Sequence, residues 1–197
     1  MVRYEIIHPE DYPDDRIDAM LRVLPEWRRE EAMRFKHRQG RVECVLAYWL
    51  LSNMLGYKPE FERGEHGKPF VNANINHNIN VKINFNLSHC KEAVACVIGD
   101  DAEVGIDVEC LGRYKPSLAE YCMSNDELKQ IAEADDQDAE FTMLWTKKEA
   151  LLKMTGEGIT DDMKGCLKSA RMEGVTIESG INKEKGYAWS VASKIWQ

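Results

Sequence analysis

No stretch of this chain is apolar for long enough to cross a bilayer. Its longest apolar run, VLAYWLLSNML at 45–55, falls well short of the roughly 20 residues a spanning helix needs and reads as a buried helix. The opening MVRYEIIHPEDYPDD has no basic flank, apolar stretch or small-residue cleavage site, so the chain is expected to stay in the cytoplasm where it is made. No CxxC pair is present. The six cysteines, at 44, 90, 96, 110, 122 and 166, are scattered and several lie in apolar runs, so they are expected to be reduced thiols serving as small hydrophobes. Positive charge is not in excess either: the formal net charge of −8 argues against broad attachment to nucleic acid or an anionic membrane, and leaves room only for a local basic pocket. Nor is there a bias toward disorder, because 44% apolar residues balance 30% charged ones. What remains is a 197-residue globular chain, long enough for one large domain or two small halves sharing an interface.

The periodicities predict a strand at about 2–7, then helices over DDRIDAMLRVL and EWRREEAMRF separated by Pro25. A third helix, RVECVLAYWLLSNMLG, is apolar on most of its circumference and closed by Gly56, and is expected to be central. FERGEHGKPFV (61–71) reads as a loop punctuated by Gly64, Gly67 and Pro69. The asparagines at 72, 74, 76, 78 and 80 alternate as in a strand, and since asparagine is a poor strand former this run is expected to be an extended wet loop or an edge hairpin. AVACVIGDDAEVGIDVE (93–109) reads as one β-hairpin around GDDA. Ser124 followed by Glu127 signals a capped helix start, and DAEFTMLWTKKEALLKMTGEG a long amphipathic helix ended by Gly156. The tail reads as strands in LKSARMEGVTIES and YAWSVAS. Helices followed by strands thus occur twice, about a midpoint near residue 100.

GIDVE (105–109) places two acids on a strand otherwise read as buried. Positions i and i+2 share a face, so Asp107 and Glu109 point together while Ile106 and Val108 face the core. Two like charges held so close repel unless a proton or cation intervenes. Either the strand end is simply solvated, or the pair belongs to an oxygen-ligand site for a hard cation such as Mg²⁺. In WTKKEALLK (145–153), Trp145, Glu149 and Lys153 follow one helical face with Lys148 at its edge. A plain Glu149–Lys153 surface pair, with Trp145 in the core, is the simple reading. If that face meets the Asp107/Glu109 strand, three carboxylates and two lysines would describe a metal–pyrophosphate site. In FNLSHC (85–90), Ser88, His89 and Cys90 cannot pair with their neighbours on an extended strand. His89 is a candidate donor to an anion or else a core histidine. GKP (67–69) offers Lys68, and RFKHRQGR (34–41) a basic cluster that is either a solvated helix end or an anion pocket.

GKPF, FNLSH, GIDVE and WTKKEALLKMTGEG, in this order and spacing over roughly residues 34–158, resemble the 4′-phosphopantetheinyl transferases. The resemblance is to the type with two similar halves fused in one chain, as in the enzymes that activate surfactin-type peptide synthetases. It implies an α+β fold built as a pseudo-twofold pair of halves, 1–100 and 101–197, each an antiparallel sheet packed on a long helix, with the site in the cleft between them. It implies coenzyme A as donor, Mg²⁺ (or Mn²⁺) as cofactor, and a serine hydroxyl of an apo acyl or peptidyl carrier protein as acceptor, 3′,5′-ADP leaving. Carried over by position, Asp107, Glu109 and Glu149 would hold the metal, with Glu149 the base and Lys153 stabilising the pyrophosphate. Lys148, Ser88 and His89 would contact coenzyme A, Lys68 and Pro69 would border its adenine, and Arg41 and Lys36 would take its 3′-phosphate. With both halves in one chain, a monomer is expected, with no membrane or nucleic-acid partner. The gap between GKPF and FNLSH is longer than usual in the family, Cys90 stands where a serine is frequent, and the chain after GEG is shorter than in larger relatives. Two rival readings remain: a non-catalytic module that binds coenzyme A or a carrier protein, and a cysteine hydrolase built on Cys90.

Overall fold

The computed structural model describes residues 1–63, 68–75, 79–156, 163–168 and 172–195. Strand β1 (Val2–Ile7) is followed by helices α1 (Asp14–Val23), α2 (Glu26–Arg34) and α3 (Arg38–Leu55), then by β2 (Glu62–Arg63), β3 (Pro69–Ile75), β4 (Ile79–His89), β5 (Val94–Asp100) and β6 (Ala102–Cys110). The remainder comprises α4 (Pro116–Cys122), α5 (Asn125–Glu133), α6 (Gln137–Thr155), β7 (Val175–Asn182) and β8 (Tyr187–Ile195). Among the described residues these form an α+β architecture of six helices and two antiparallel sheets, one ordered β1-β5-β4-β3-β2 and the other β6-β8-β7. Among the described residues, no helix is long and apolar enough to cross a membrane.

The helix ends follow the sequence signals. Pro25 cannot donate to a preceding turn, so α1 stops and α2 starts there. Gly56 closes α3 at φ 80° and Gly156 closes α6 at φ 78°, a left-handed backbone that glycine adopts without a Cβ penalty. At the start of α5, the Glu127 amide donates to Ser124 Oγ and the Ser124 amide to Glu127 Oε2, so two orphan N–H groups are satisfied reciprocally. The asparagine run forms a hairpin of β3 and β4 beside the two-residue edge strand β2; Asn76 and Asn78 lie outside the described residues, as do Gly64, Gly67 and Gly158.

Three apolar clusters hold these layers. α3 packs on one face of the first sheet through Val45, Leu46 and Leu50 against Phe85, Val94, Cys96 and Ile98. α6 packs on the second sheet through Ala150, Leu151 and Met154 with Ala192. The third cluster lies between the sheets, where Ala95 and Val97 of β5 meet Val104, Ile106 and Val108 of β6. Both faces of β5 are therefore buried, which is why it reads as an unbroken apolar run. All six cysteines are free thiols and five of them are buried.

Three expectations fail in whole or in part: FERGEHGKPFV, read as a loop, carries β2 and the start of β3, LKSARMEGVTIES is strand only from Val175 among the described residues, and AVACVIGDDAEVGIDVE is not one hairpin. β5 and β6 are both strands, but they are not a hairpin: β5 pairs with β1 and β4, and β6 pairs with β8 in the other sheet. Both edges of β5 are occupied, so no ladder is open to β6. Asp101, at φ 56°, turns the chain from one sheet into the other, a conformation aspartate tolerates better than most residues.

The edge of β6 away from β8 is then closed by side chains rather than a strand. Asn84 Nδ2 donates to Ala102 O (2.9 Å), Lys68 Nζ to Val104 O (2.7 Å), the Ile106 amide to Asn86 Oδ1 (3.0 Å) and the Val108 amide to Ser88 Oγ (3.3 Å). The alternate positions 84, 86 and 88 of β4 thus dock β6 onto the first sheet. Replacing Asn86 by Ala removes the acceptor for the Ile106 amide. The variant is expected to lose about 1–3 kcal/mol of stability, read as a lower denaturant midpoint with an unchanged m-value.

Candidate active site

The β6 face that carries Asp107 and Glu109 also carries Gly105, and this glycine lets α6 approach. A Cβ there would lie 2.1 Å from Ala150 O and 2.4 Å from Met154 N. The helix consequently crosses β6 with almost no space between them, and Lys153, one turn beyond Glu149, reaches the acids. Lys153 Nζ donates to Asp107 Oδ1 at 2.6 Å and to Ser88 Oγ at 3.0 Å. Asp107 is only 3% exposed, and Ser88 Oγ donates to the same Oδ1 at 2.9 Å. Residues from β4, β6 and α6 therefore converge on one buried carboxylate.

Two oxygens are left over. Among the described residues, Asp107 Oδ2 and Glu149 Oε1 are both buried and accept no hydrogen bond. A buried carboxylate oxygen with no donor is costly, so each is poised for a partner from outside the protein. Glu149 reports the proximity of the others: its carboxyl is held above the usual carboxylate range, first by burial and next by the negative charge of Asp107, with Glu109 adding to it. Lys153 and Arg113 oppose that shift without reversing it. Glu109 is engaged by the Arg113 guanidinium. Among the described residues, no three His, Cys, Asp or Glu side chains are gathered closely enough to hold a metal ion as they stand. The unpartnered carboxylate oxygens and their mutual repulsion nonetheless suit a hard divalent cation, which takes oxygen donors.

The other expected residues distribute unevenly. Lys148 is turned away from the acids: its ammonium is fully buried and donates to Glu127 Oε2 (2.8 Å) and Met163 O (2.7 Å), so it faces α5. One residue along a helix is a rotation of about 100°, enough to send Lys148 and Glu149 to different surroundings. Ser88 is bound to Asp107. A hydroxyl has one proton and two lone pairs, and here the proton goes to Asp107 while the lone pairs accept from Lys153 and the Val108 amide. It has no donor left for a phosphate and serves to orient Asp107.

His89, next along β4, faces the other way and pairs with Glu43 of α3 at 3.2 Å. Burial opposes ionisation of Glu43, but the hydrogen bonds from His89 and Gln39 outweigh it and leave its carboxyl below the usual range. Gln39, which also reaches the Lys91 carbonyl, belongs to the first turn of α3 together with Arg41. Arg41 Nε is buried and, among the described residues, has no hydrogen-bond acceptor; Lys36 is exposed in the preceding turn. His89 is thus tied through Glu43 and Gln39 to the first turn of α3, which also carries Arg41. Lys68 donates to Met154 O (2.8 Å) as well as to Val104 O, which ties the C-terminal turn of α6 to β6, and Pro69 opens β3 beside Arg63. Trp145 packs in the second core cluster. Burial first, with the neighbouring Cys110 thiol adding to it, pushes the Cys90 thiol up to about 12, an environment that disfavours the thiolate a cysteine nucleophile needs.

Sequence reasoning missed Arg113, Asn84 and Asn86, and took Glu127 only as a helix cap. The period-2 spacing of 84, 86 and 88 is a usable signal, as is the four-residue separation of Glu109 and Arg113; nothing local links Glu127 to Lys148.

The fold and site define an α+β protein in which carboxylates from a strand face a carboxylate and a lysine from a tightly packed helix. The family description "4'-phosphopantetheinyl transferase superfamily" matches residues 103–195, the span that contains β6, α6 and the second sheet. The chain belongs to this superfamily. It is 38% identical over 102 residues to 4'-phosphopantetheinyl transferase psf-1 of Bacillus pumilus, covering 51% of this chain and 41% of that one. It is 37% identical over 114 residues to 4'-phosphopantetheinyl transferase AcpT of Salmonella typhimurium, covering 54% and 55%. Against AcpT of Escherichia coli K12 the identity is 33% over 140 residues, covering 68% and 66%. The chain spans about half the length of the first relatives it matches.

Proposed function

We propose that this protein transfers the 4′-phosphopantetheine group of coenzyme A to a serine hydroxyl of an apo acyl or peptidyl carrier protein, releasing 3′,5′-ADP. The observation that carries the reading is the pair of buried, unpartnered oxygens, Asp107 Oδ2 and Glu149 Oε1, on a strand and helix bridged by Lys153. Asp107, Glu109 and Glu149 would hold Mg²⁺, or Mn²⁺ in its place. When bound, that ion supplies charge neutralisation to the pyrophosphate.

The chain's own groups do the remainder. Glu149, made more basic by burial and its acidic neighbours, takes the proton of the incoming serine hydroxyl, directly or through a water. The hydroxyl oxygen bonds to the β-phosphorus as the bond to the leaving 3′,5′-ADP oxygen breaks. Lys153 offers its ammonium to the bridging pyrophosphate, and Ser88 keeps Asp107 in register. His89, Arg41 and Lys36 bind the 3′-phosphate side of coenzyme A, and Lys68 and Pro69 border its adenine. This is catalysis by positioning and electrostatics, which phosphoryl-type transfer favours.

We also read the chain as two related halves, 1–100 and 101–197, about a pseudo-twofold axis, working as a monomer with the site between them. Support comes from connectivity: β1, α3, β4 and β5 give the order β1-β5-β4, and β6, α6, β7 and β8 give β6-β8-β7. The test is incubation of the purified chain with coenzyme A, Mg²⁺ and a panel of apo carrier proteins. One carrier is expected to gain the mass of a single phosphopantetheine group, and only with both additions. Binding of coenzyme A with no mass change on any carrier would sink the enzymatic reading in favour of a non-catalytic binding module.

A further inference from the structure

We propose that Arg113 is a built-in competitor for the divalent cation, its guanidinium holding the Glu109 carboxylate in the ligand-free chain until a metal ion displaces it. The inference rests on the transferase reading for the kind of ion, and on the following geometry for the residue. Both expected site acids of β6 are matched by a cation of the same chain: Lys153 bonds to Asp107 and Arg113 to Glu109. The two pairs are unequal. The Asp107 carboxylate is 4% exposed and Lys153 is also held by Ser88, whereas the Arg113 side chain is 48% exposed and Glu109 21%. An ion pair half in water is weak and screened by salt, so the outer pair is the one that gives way.

The backbone around Arg113 supports that division. Asp138, at the start of α6, accepts the Gly112 amide on one carboxylate oxygen (2.5 Å) and the Tyr114 amide on the other (2.8 Å). The residues on both sides of Arg113 are therefore pinned to the helix that carries Glu149, while its side chain is exposed. Swinging the guanidinium away from Glu109 needs no backbone movement. Arg113 also acts on Glu149, whose carboxyl feels its positive charge. While the guanidinium stays in place, Glu109 is engaged elsewhere and the three acids are not gathered. Once it leaves, a second carboxylate on the Asp107 face becomes available as a ligand.

The test is direct titration of the full chain with Mn²⁺, followed by electron paramagnetic resonance of the free ion, with and without coenzyme A. Arg113→Gln is expected to bind Mn²⁺ about two- to fivefold more tightly than the unchanged chain, the scale of a half-exposed ion pair. Arg113→Lys keeps the charge and should stay close to the unchanged chain. The gap should narrow as KCl rises to about 0.5 M. Equal or weaker binding by Arg113→Gln, or binding by Arg113→Lys as tight as that of Arg113→Gln, overturns the competitor role and leaves the transferase reading intact. An unchanged chain that takes up no Mn²⁺ under either condition overturns the metal site and the competitor together.

Discussion

Replacing Glu149 by Gln is expected to lower carrier modification by about 10²–10⁴-fold while leaving the fold intact. The substitution keeps size and removes the charge. In the proposed mechanism it removes both the proton acceptor and a metal oxygen, so the loss should fall on kcat. Stability should move the other way, because the raised carboxyl pKa means that burial and Asp107 penalise the ionised form. For an acid with a folded-state pKa above its unfolded one, the native state holds the proton longer, so stability is full below the unfolded value and declines as pH rises through the folded one. Without metal the penalty grows as pH rises and Glu149 ionises. Glu149→Gln should therefore be at least as stable as the unchanged chain in chelator at pH 7, with the advantage vanishing near pH 4. A variant that unfolds more easily, or one that still modifies a carrier at near-normal rate, contradicts the role assigned to this side chain.

Lys148→Met should show the opposite pattern. Lys148 is 0% exposed, and its ammonium neutralises Glu127, which is 9% exposed and already receives the Ser124 amide. Removing the lysine leaves a buried carboxylate without its counter-charge, a change that costs about 3–5 kcal/mol. The denaturant midpoint should fall accordingly. Pairing Lys148→Met with Glu127→Gln should recover much of the loss, since a buried ion pair replaced as a unit is often close to neutral. The KM for coenzyme A, measured on folded protein, should change little, because the ammonium faces α5 and Met163. A large rise in KM at unchanged stability would mean that Lys148 meets the substrate after all.

These two neighbours show how far the sequence reaches. The i, i+4 relation of Glu149 and Lys153 is a property of any helix, and so is their shared face. That Lys148, one position away, is an internal ion pair depends on α5 carrying Glu127 to that spot, which no local pattern states. The same contrast holds on β6. Alternation places Asp107 with Glu109 and against Ile106 and Val108, and the structure keeps that division. The identity of the group beside each acid, Lys153 for one and Arg113 for the other, follows from packing.

The sequence by itself determined most short-range features: the positions of α1, α2, α3, α5 and α6 and of several strands, the caps at Ser124, Gly56 and Gly156, and the face on which each acid of GIDVE projects. Those depend on backbone periodicity and on glycine and proline conformation, which act over a few residues. The tertiary structure alone decided that β5 and β6 part into different sheets, that Ser88 serves Asp107, and that α6 lies close enough to β6 at Gly105 for Lys153 to reach its acid. Such outcomes depend on which strand edges are already taken and which backbones can touch, and both are set by residues far apart in the chain.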